Sequence, residues 1–407
     1  MQESILTLAG KEAAWQEFLT YKKEKQNLSR REEKEIEDFI LQKAYLPLCE
    51  AWEKEIFPTT LPVKRIVNKE GTDKKRVVYS YQGEEGLLFK FITFWLYRYD
   101  EVFCDNCYAF RRGTGVGSAI YRLKGAGIDK KYCLKADISN YFNSIVPERL
   151  MQKLEFLKKE QSLYALFERV LLSDKVLDGA RIISEKKGAM AGTPFAPFLA
   201  NVYLRELDAY FEKEGVLYFR YSDDILLFAD TMEELKDYQA LLYERLAKEG
   251  LLVNPAKVKL CLPGEKIEFL GFSYHRGVID LSENTLRKTK AKIRRKAKAL
   301  RRWQRKKNLP EEKAAIGFVR AMNRKFYGNE EEDEFTWKRW FFPYLTTDRG
   351  LKEIDAYMQQ YIRHTVTGRH YKGNYRIRYE TMKTWGYRSL VNEFYKNFEN
   401  MVDKSGK

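Results

Sequence analysis

Several common site types are excluded by what this sequence has little of. Cysteine occurs 5 times in 407 residues, an odd count that argues against a disulfide framework and suits a reducing compartment. Cys104 and Cys107 form one C-x-x-C, but no second pair follows at zinc spacing, so a buried or incidental pair is expected. Long apolar runs are missing too. The most membrane-like segment, Leu87 to Tyr97, contains Lys90 and is far too short to span a bilayer, so no membrane partner is expected. The start, "MQESILTLAGKEAAW", has no basic residues followed by an apolar run, and a cytoplasmic location is expected. Repeats and low-complexity linkers are likewise lacking. What remains is ample for folding: 44% apolar residues, with 27 Tyr, 25 Phe and 7 Trp, exclude global disorder, and the length suits about two or three domains.

Acidic residues are absent where the charge is most concentrated. Lys and Arg number 74 against 58 Asp and Glu, a net charge of +16. Between Arg287 and Lys307, "RKTKAKIRRKAKALRRWQRKK" holds 13 basic residues and no acid, which leaves 61 against 58 elsewhere. Such a run is often only a solvated helix face. Here Ile293, Ala297, Leu300 and Trp303 recur at helical spacing, so one face is expected to pack while the others stay basic. Like charge at this density calls for a polyanion, and nucleic-acid backbone contact is expected of Arg287, Lys288, Arg294, Arg295, Lys298, Arg301 and Arg302.

Periodicity outlines the rest. Charged helices are expected to about Phe57, with Trp15, Phe18, Phe39 and Ile40 as apolar positions. Two short strands in "PVKRIVNKEGTDKKRVVYS" would join through Gly71 and Asp73. Glu84 to Tyr99 reads as an amphipathic helix, "FRRGTGVGSAI" as a glycine-rich turn, "YCLKADI" as a strand, and Pro147 to Leu172 as helical. A proline-rich loop opens the helix of "GTPFAPFLANVYLRELDAYF". A hairpin, "LYFRYSDDILLFAD", a helix from about Met232 to Lys248, and strands in "KVKLCL" and "KIEFLGFSY" follow. From Ser282 the reading is mostly helical. Strand, helix, hairpin, helix, strand is the order of a split βαβ antiparallel sheet, an α+β arrangement.

The hairpin sets Asp223 and Asp224 side by side between apolar runs. As a bland alternative, Tyr221-Ser222-Asp223-Asp224 is a polar turn with both acids in water. Otherwise the pair serves a divalent cation, since hard cations choose carboxylate oxygens and relieve the repulsion. The split βαβ order can bring Asp137 beside the pair. Three acids on neighbouring strands can hold two Mg²⁺ ions about 3.5–4 Å apart, as in-line phosphoryl transfer requires.

Taken in order, "LKADISNYFNSI", "GTPFAPFLAN", "RYSDDILLFA", "NPAKVKL" and "FLGF" resemble the successive palm motifs of reverse transcriptases, and "CYAFRRGTG" resembles the preceding fingers motif. The resemblance covers roughly Val63 to Tyr274. The carboxy-terminal part is similar to the helical thumb of bacterial group II intron-like, retron-like and defence-associated members. It implies a right-hand polymerase: an N-terminal extension over 1–60, fingers over 61–132, a ferredoxin-like palm over 133–281 and a basic helical thumb region over 282–407. The implied activity is RNA-directed DNA synthesis from dNTPs, with a structured RNA template, a DNA primer and product, an RNA–DNA hybrid, and two Mg²⁺ ions for which Mn²⁺ can substitute.

The same resemblance implies residue roles. Asp137, Asp223 and Asp224 would be the metal ligands, with the Ile138 carbonyl as a further one. Phe142 would lie under the nucleotide sugar and exclude a 2′-hydroxyl, or else be an ordinary core aromatic. Arg111 would grip the triphosphate, with Arg112 as its competitor and Lys75 or Arg76 assisting. Gly192 belongs to the nucleotide-binding loop, and the glycines of "RRGTGVGS" would either approach phosphate or simply turn the chain. Lys257 would be a general acid toward pyrophosphate, or a surface lysine. Leu270 and Gly271 match the turn that supports the primer end. One departure stands out: where the intron-like members have Pro-Gln-Gly, this chain has Met190-Ala191-Gly192. With three histidines there is little material for an H-N-H endonuclease, so phage defence or a retron-like system is expected before intron mobility. A group II maturase lacking its endonuclease, or a non-catalytic RNA-binding splicing factor, are the rival readings.

Overall fold

The computed structural model describes residues 3–25, 28–68, 75–328 and 336–405. The expected connection through Gly71 and Asp73 lies outside them. Among the described residues no helix is long and apolar enough to cross a membrane. The chain divides into two compact units, Met1–Pro263 and Gly264–Lys407.

The first unit opens with helices Ile5–Ala9, Glu12–Lys25, Arg30–Leu41 and Tyr45–Glu53. Ser29 and Glu32 form a reciprocal capping box that fixes the start of the third. Trp15, Phe18, Phe39 and Ile40 are buried as their spacing predicts, and Trp15 stacks on Phe91 with ring centroids 4.1 Å apart. Phe91 comes from helix Gly83–Leu96, which carries the apolar face of this layer.

Eight strands follow: β1 (Val63–Asn68), β2 (Lys75–Ser80), β3 (Tyr132–Asp137), β4 (Lys175–Asp178), β5 (Arg181–Ser184), β6 (Tyr218–Tyr221), β7 (Asp224–Ala229) and β8 (Lys259–Cys261). They form two sheets, β2-β1-β4-β5 and β6-β7-β3-β8. The second is antiparallel throughout, with β3 and β7 at its centre. This is the expected split βαβ palm. Its β3–β7 ladder alternates by the period-2 rule. Leu134 and Ala136 pair with Leu227 and Ile225 on the core face, against helices Ala196–Lys213 and Met232–Lys248. Lys135 and Asp137 pair with Leu226 and Asp224 on the other. That second face is also covered: Phe219 stacks on Tyr108, and Arg122 of helix Val116–Gly125 lies over the Phe219 ring.

Two local readings change. Helix Val116–Gly125 begins inside the expected glycine-rich turn, because Val116, Ala119, Ile120 and Leu123 bury one face of it. The β4–β5 hairpin in "KVLDGARIIS" is not foreseen by periodicity, since each strand is only four residues long. Gly179, at φ +63°, turns it.

In the second unit, β9 (Ile267–Phe269), β10 (Phe272–His275) and β11 (Val278–Leu281) form an antiparallel sheet. Helix Glu283–Lys306 follows, capped by the Ser282 hydroxyl, and packs with helices Glu311–Tyr327 and Arg349–Thr367. The chain therefore divides at Gly264, ahead of the sheet expected to close the palm at 281. Ile293 and Ala297 are fully buried as expected, but Trp303 is 44% exposed and Gln304 is buried instead. The packed stripe thus drifts off the Trp303 side, as a 3.6-residue turn makes it do over three turns.

Candidate active site

The β-hairpin that carries the paired acids is tight. Tyr221 and Asp224 are paired across the β6–β7 ladder, leaving Ser222 and Asp223 as the two turn residues. Ser222 has φ +61°, the left-handed conformation that a two-residue hairpin with this hand of twist demands of its first central residue. The ladder register places Asp224 directly opposite Asp137 at the end of β3. The Ile138 N–H then donates to the Asp223 carbonyl at 3.0 Å, and the Asn254 N–H to the Asp137 carbonyl at 2.7 Å. Backbone bonds alone therefore bring together the three acids that the sequence singled out.

Asp137 is buried and forms an ion pair with the Lys257 ammonium. Burial raises the Asp223 carboxyl above its usual range, and the Asp137 charge adds to this, while Lys257 and Arg76 pull the other way. Burial pushes Asp224 up to about 6, opposed by Lys135 and reinforced by Asp223 and Asp137. Two buried acids that resist ionisation, Asp223 and Asp224, beside the carboxylate of Asp137 form the donor set a divalent cation would relieve. Among the described residues no three His, Cys, Asp or Glu side chains close into a ready-made cage. Lys257 is what compensates Asp137 here, so an ion would compete with it. The residues present fit a divalent site on these terms. Lys135 was not foreseen as part of the site, although alternation along β3 puts it on the face of Asp137.

Around the turn, Phe142 is half-buried and meets the Phe110 ring edge-on, and Phe110 in turn contacts Tyr221. Gly188 lies against this segment so closely that a Cβ there would sit 2.2 Å from the Phe142 carbonyl oxygen. Gly192, at φ +99°, packs on β2, where the Tyr79 N–H donates to the Ala191 carbonyl at 2.7 Å. The Met190-Ala191-Gly192 loop, with Met190 and Ala191 buried, is thus tied by backbone to the strand that carries Arg76.

Arg111, expected at the triphosphate, is engaged with the backbone of its own loop. Its guanidinium donates to the carbonyls of Cys104 (2.6 Å), Cys107 (3.0 Å) and Asp100 (3.3 Å), which braces the loop. Its competitor Arg112 donates to the Phe94 carbonyl and lies over the Phe94 ring. The Cys104 and Cys107 thiols are both pushed up to about 12 by burial, so as free thiols they stay protonated.

In the second unit Leu270 and Gly271 form the β9–β10 turn, both with positive φ. The Ser282 N–H and the Thr285 hydroxyl both donate to the Gly271 carbonyl, so this turn is fastened to the start of the basic helix. Along that helix Arg287, Lys288, Arg294, Arg295, Lys298 and Arg302 are exposed. Arg301 is not available in the same way: it donates to the carbonyls of Thr365 (3.0 Å) and Val366 (2.7 Å) at the end of a neighbouring helix. Charge composition could not separate it from its neighbours. A cavity of about 660 Å³ lies between the basic helix and Glu311–Tyr327, with Arg320, Arg324 and Lys325 facing Lys292, Arg295 and Lys296 across it. The cations of the second helix escaped the sequence reading because they are diluted by apolar residues.

Residues 67–274 match the family described as reverse transcriptase (RNA-dependent DNA polymerase). The chain is 21% identical over 170 residues to the Retron Ec86 reverse transcriptase of Escherichia coli, covering 41% of this chain and 49% of that protein. It therefore spans about half the length of that relative. Among solved structures it is similar to a truncated apo telomerase of Candida tropicalis (TM-score 0.42, 12% identity, 59% of this chain and 60% of that one). It is also similar to a Candida albicans telomerase in complex with a fragment of telomeric RNA (TM-score 0.42, 13% identity, 85% of this chain and 68% of that one).

Proposed function

The chain belongs to the reverse transcriptase family, and we propose that it is an RNA-directed DNA polymerase that extends a primer with dNTPs on a structured RNA template. One observation carries this reading: the β3–β7 register, which sets Asp137 opposite Asp224 with Asp223 in the adjoining turn. Two Mg²⁺ ions, or Mn²⁺ in their place, held by these acids and the Ile138 carbonyl would supply charge neutralisation and Lewis acidity for nucleotidyl transfer.

The chain's own residues do the rest. Lys257, paired with Asp137, balances its charge and is placed to protonate a departing pyrophosphate. Arg76, close enough to act on Asp223, takes the triphosphate role in place of Arg111. Phe142 lies beneath the sugar and rejects a 2′-hydroxyl by occupying its space. Gly192 lets the nucleotide-binding loop lie flat on β2, where any Cβ would meet the Tyr79 backbone at 2.9 Å. The exposed basic helix holds the phosphate backbone of the RNA–DNA hybrid, and the Leu270-Gly271 turn supports the primer end. The similarity to a retron reverse transcriptase supports a retron-like setting, and phage defence in the cytoplasm is the setting proposed with it. The test is extension of a DNA primer on an RNA template by purified protein with Mg²⁺ and dNTPs. Extension that stops when dNTPs are replaced by rNTPs is expected, and no extension on any primed RNA would contradict the reading. Sequencing the nucleic acid that co-purifies decides the setting, with a small structured non-coding RNA expected.

A further inference from the structure

Beneath the paired acids lies a charged residue that the proposed chemistry does not use. Arg220, Asp208 and Asn201 are each 0% exposed. All five N–H donors of the Arg220 guanidinium have acceptors. Nε donates to Asp208 Oδ1 at 2.7 Å, and Nη2 donates to the second Asp208 oxygen and to Cys107 Sγ. Nη1 donates to Asn201 Oδ1 and to the Ser222 carbonyl, both at 3.3 Å. Asn201 passes the link on, donating from Nδ2 to the Ala109 carbonyl at 2.6 Å. The backbone repeats the connection, with the Arg220 N–H on the Asn106 carbonyl and the Tyr108 N–H on the Arg220 carbonyl.

Stability alone is a poor reason for such a group. A buried ion pair is often no better than well-packed apolar residues of the same volume. What this one does is geometric. It fixes the carbonyl of Ser222, the residue of positive φ that immediately precedes Asp223. It also joins that turn to helix Ala196–Lys213 and to the segment leading to Phe110, the ring that meets Phe142. Three elements bordering the nucleotide site thus converge on one planar fork. We propose that Arg220 is the positioning residue of the acidic turn, held by Asp208 and Asn201. It sets Asp223 and Asp224 against Asp137 and registers them with the sugar-sensing aromatics. The inference rests on the reading of those three acids as the metal site.

The test uses the full chain in two variants. Arg220→Met with Asp208→Leu replaces the pair by apolar volume, and Arg220→Lys keeps the charge but loses the fork. Both are measured for Tm, for affinity toward a primed RNA template, for single-turnover dNTP incorporation and for Mn²⁺ binding by electron paramagnetic resonance. The expected result is a folded protein with near-normal template affinity and a maximal rate lower by on the order of 10–100-fold, the cost of misplacing reacting groups by about 1 Å. The KM for dNTP should move far less, and Mn²⁺ affinity should weaken in parallel with the rate. A purely structural role would lower Tm and leave rate and Mn²⁺ affinity intact in whatever protein remains folded. That outcome in either variant overturns the proposal. Should the double variant fail to fold, Arg220→Lys decides by the same readings. Should the wild type incorporate nothing, the polymerase reading fails, and Mn²⁺ affinity alone then decides on Arg220.

Discussion

At the acidic turn the protein answers its own charges: Asp137 is paired with Lys257, and Arg220 beneath it with Asp208, all within a frame of buried strands. Along helix Glu283–Lys306 most cations instead face solvent, while Lys290 pairs with Glu353 and Arg301 with helix-end carbonyls. The first arrangement fixes positions to fractions of an ångström and tolerates little change. The second supplies a field, in which any one charge matters only through the counterions it releases. On the proposed function, chemistry would belong to the turn and grip to the helix.

The comparison breaks most severely at the turn. Asp223→Ala with Asp224→Ala should lower dNTP incorporation by on the order of 10³-fold or more, several kcal/mol of transition-state stabilisation. Circular dichroism and template affinity should be unchanged, since removing crowded acids relieves repulsion. Comparable rates in the variant would end the metal-site assignment.

Next in size is sugar selection. Phe142→Val should lower the ratio of kcat/KM for dNTP over rNTP by on the order of 10–100-fold, while the variant still extends with dNTPs. A ratio that does not move would make Phe142 a packing residue for Phe110.

The helix should respond differently. With Arg294, Arg295, Lys298 and Arg302 all changed to Gln, the slope of log K against log salt should become shallower by up to about three units, at every sequence alike. Arg301→Gln should instead lower thermal stability and change the slope least, because its Nη1 is held by the Thr365 and Val366 carbonyls. A reversed pattern would exchange the two roles.

The smallest effect is one of pH. The Asp224 carboxyl titrates at about 6 in the folded protein, against about 4 in an unfolded chain. Between those values the folded state binds more protons, so stability falls as pH rises through the window. Asp224→Asn lacks this loss, and its Tm in EDTA should gain about 2–4 °C on the wild type from pH 4 to pH 7. A pH-independent difference would contradict the burial that raises Asp224.

The same contrast explains what could be read from the residues beforehand. Asp137, Asp223 and Asp224 were legible because strand alternation and a two-residue turn leave one register, and that register brings them together. The helix of Met232–Lys248 and the N-terminal aromatic layer were legible for the same local reason. Arg220 was not, because its partners Asp208 and Asn201 lie 12 and 19 residues away on a helix and Cys107 lies 113 away, so nothing local marks the network. The backbone engagement of Arg111 and Arg301 was not legible, because a sequence shows a cation but not the carbonyls around it. Trp303 was misplaced because an apolar residue at helical spacing says nothing of which neighbour covers it. The β4–β5 hairpin is held partly by one parallel pairing, Val63 with Leu177, which no local pattern encodes.

The division of labour is tested most directly by single-turnover incorporation on template–primer already bound to excess protein at low salt. The wild type and the four-Gln helix variant should incorporate the first dNTP at similar rates once bound, the latter merely dissociating sooner. The Asp223→Ala, Asp224→Ala variant should stay bound and incorporate nothing measurable. A helix variant that is slow in the chemical step, or an acidic-turn variant that is not, would contradict the account.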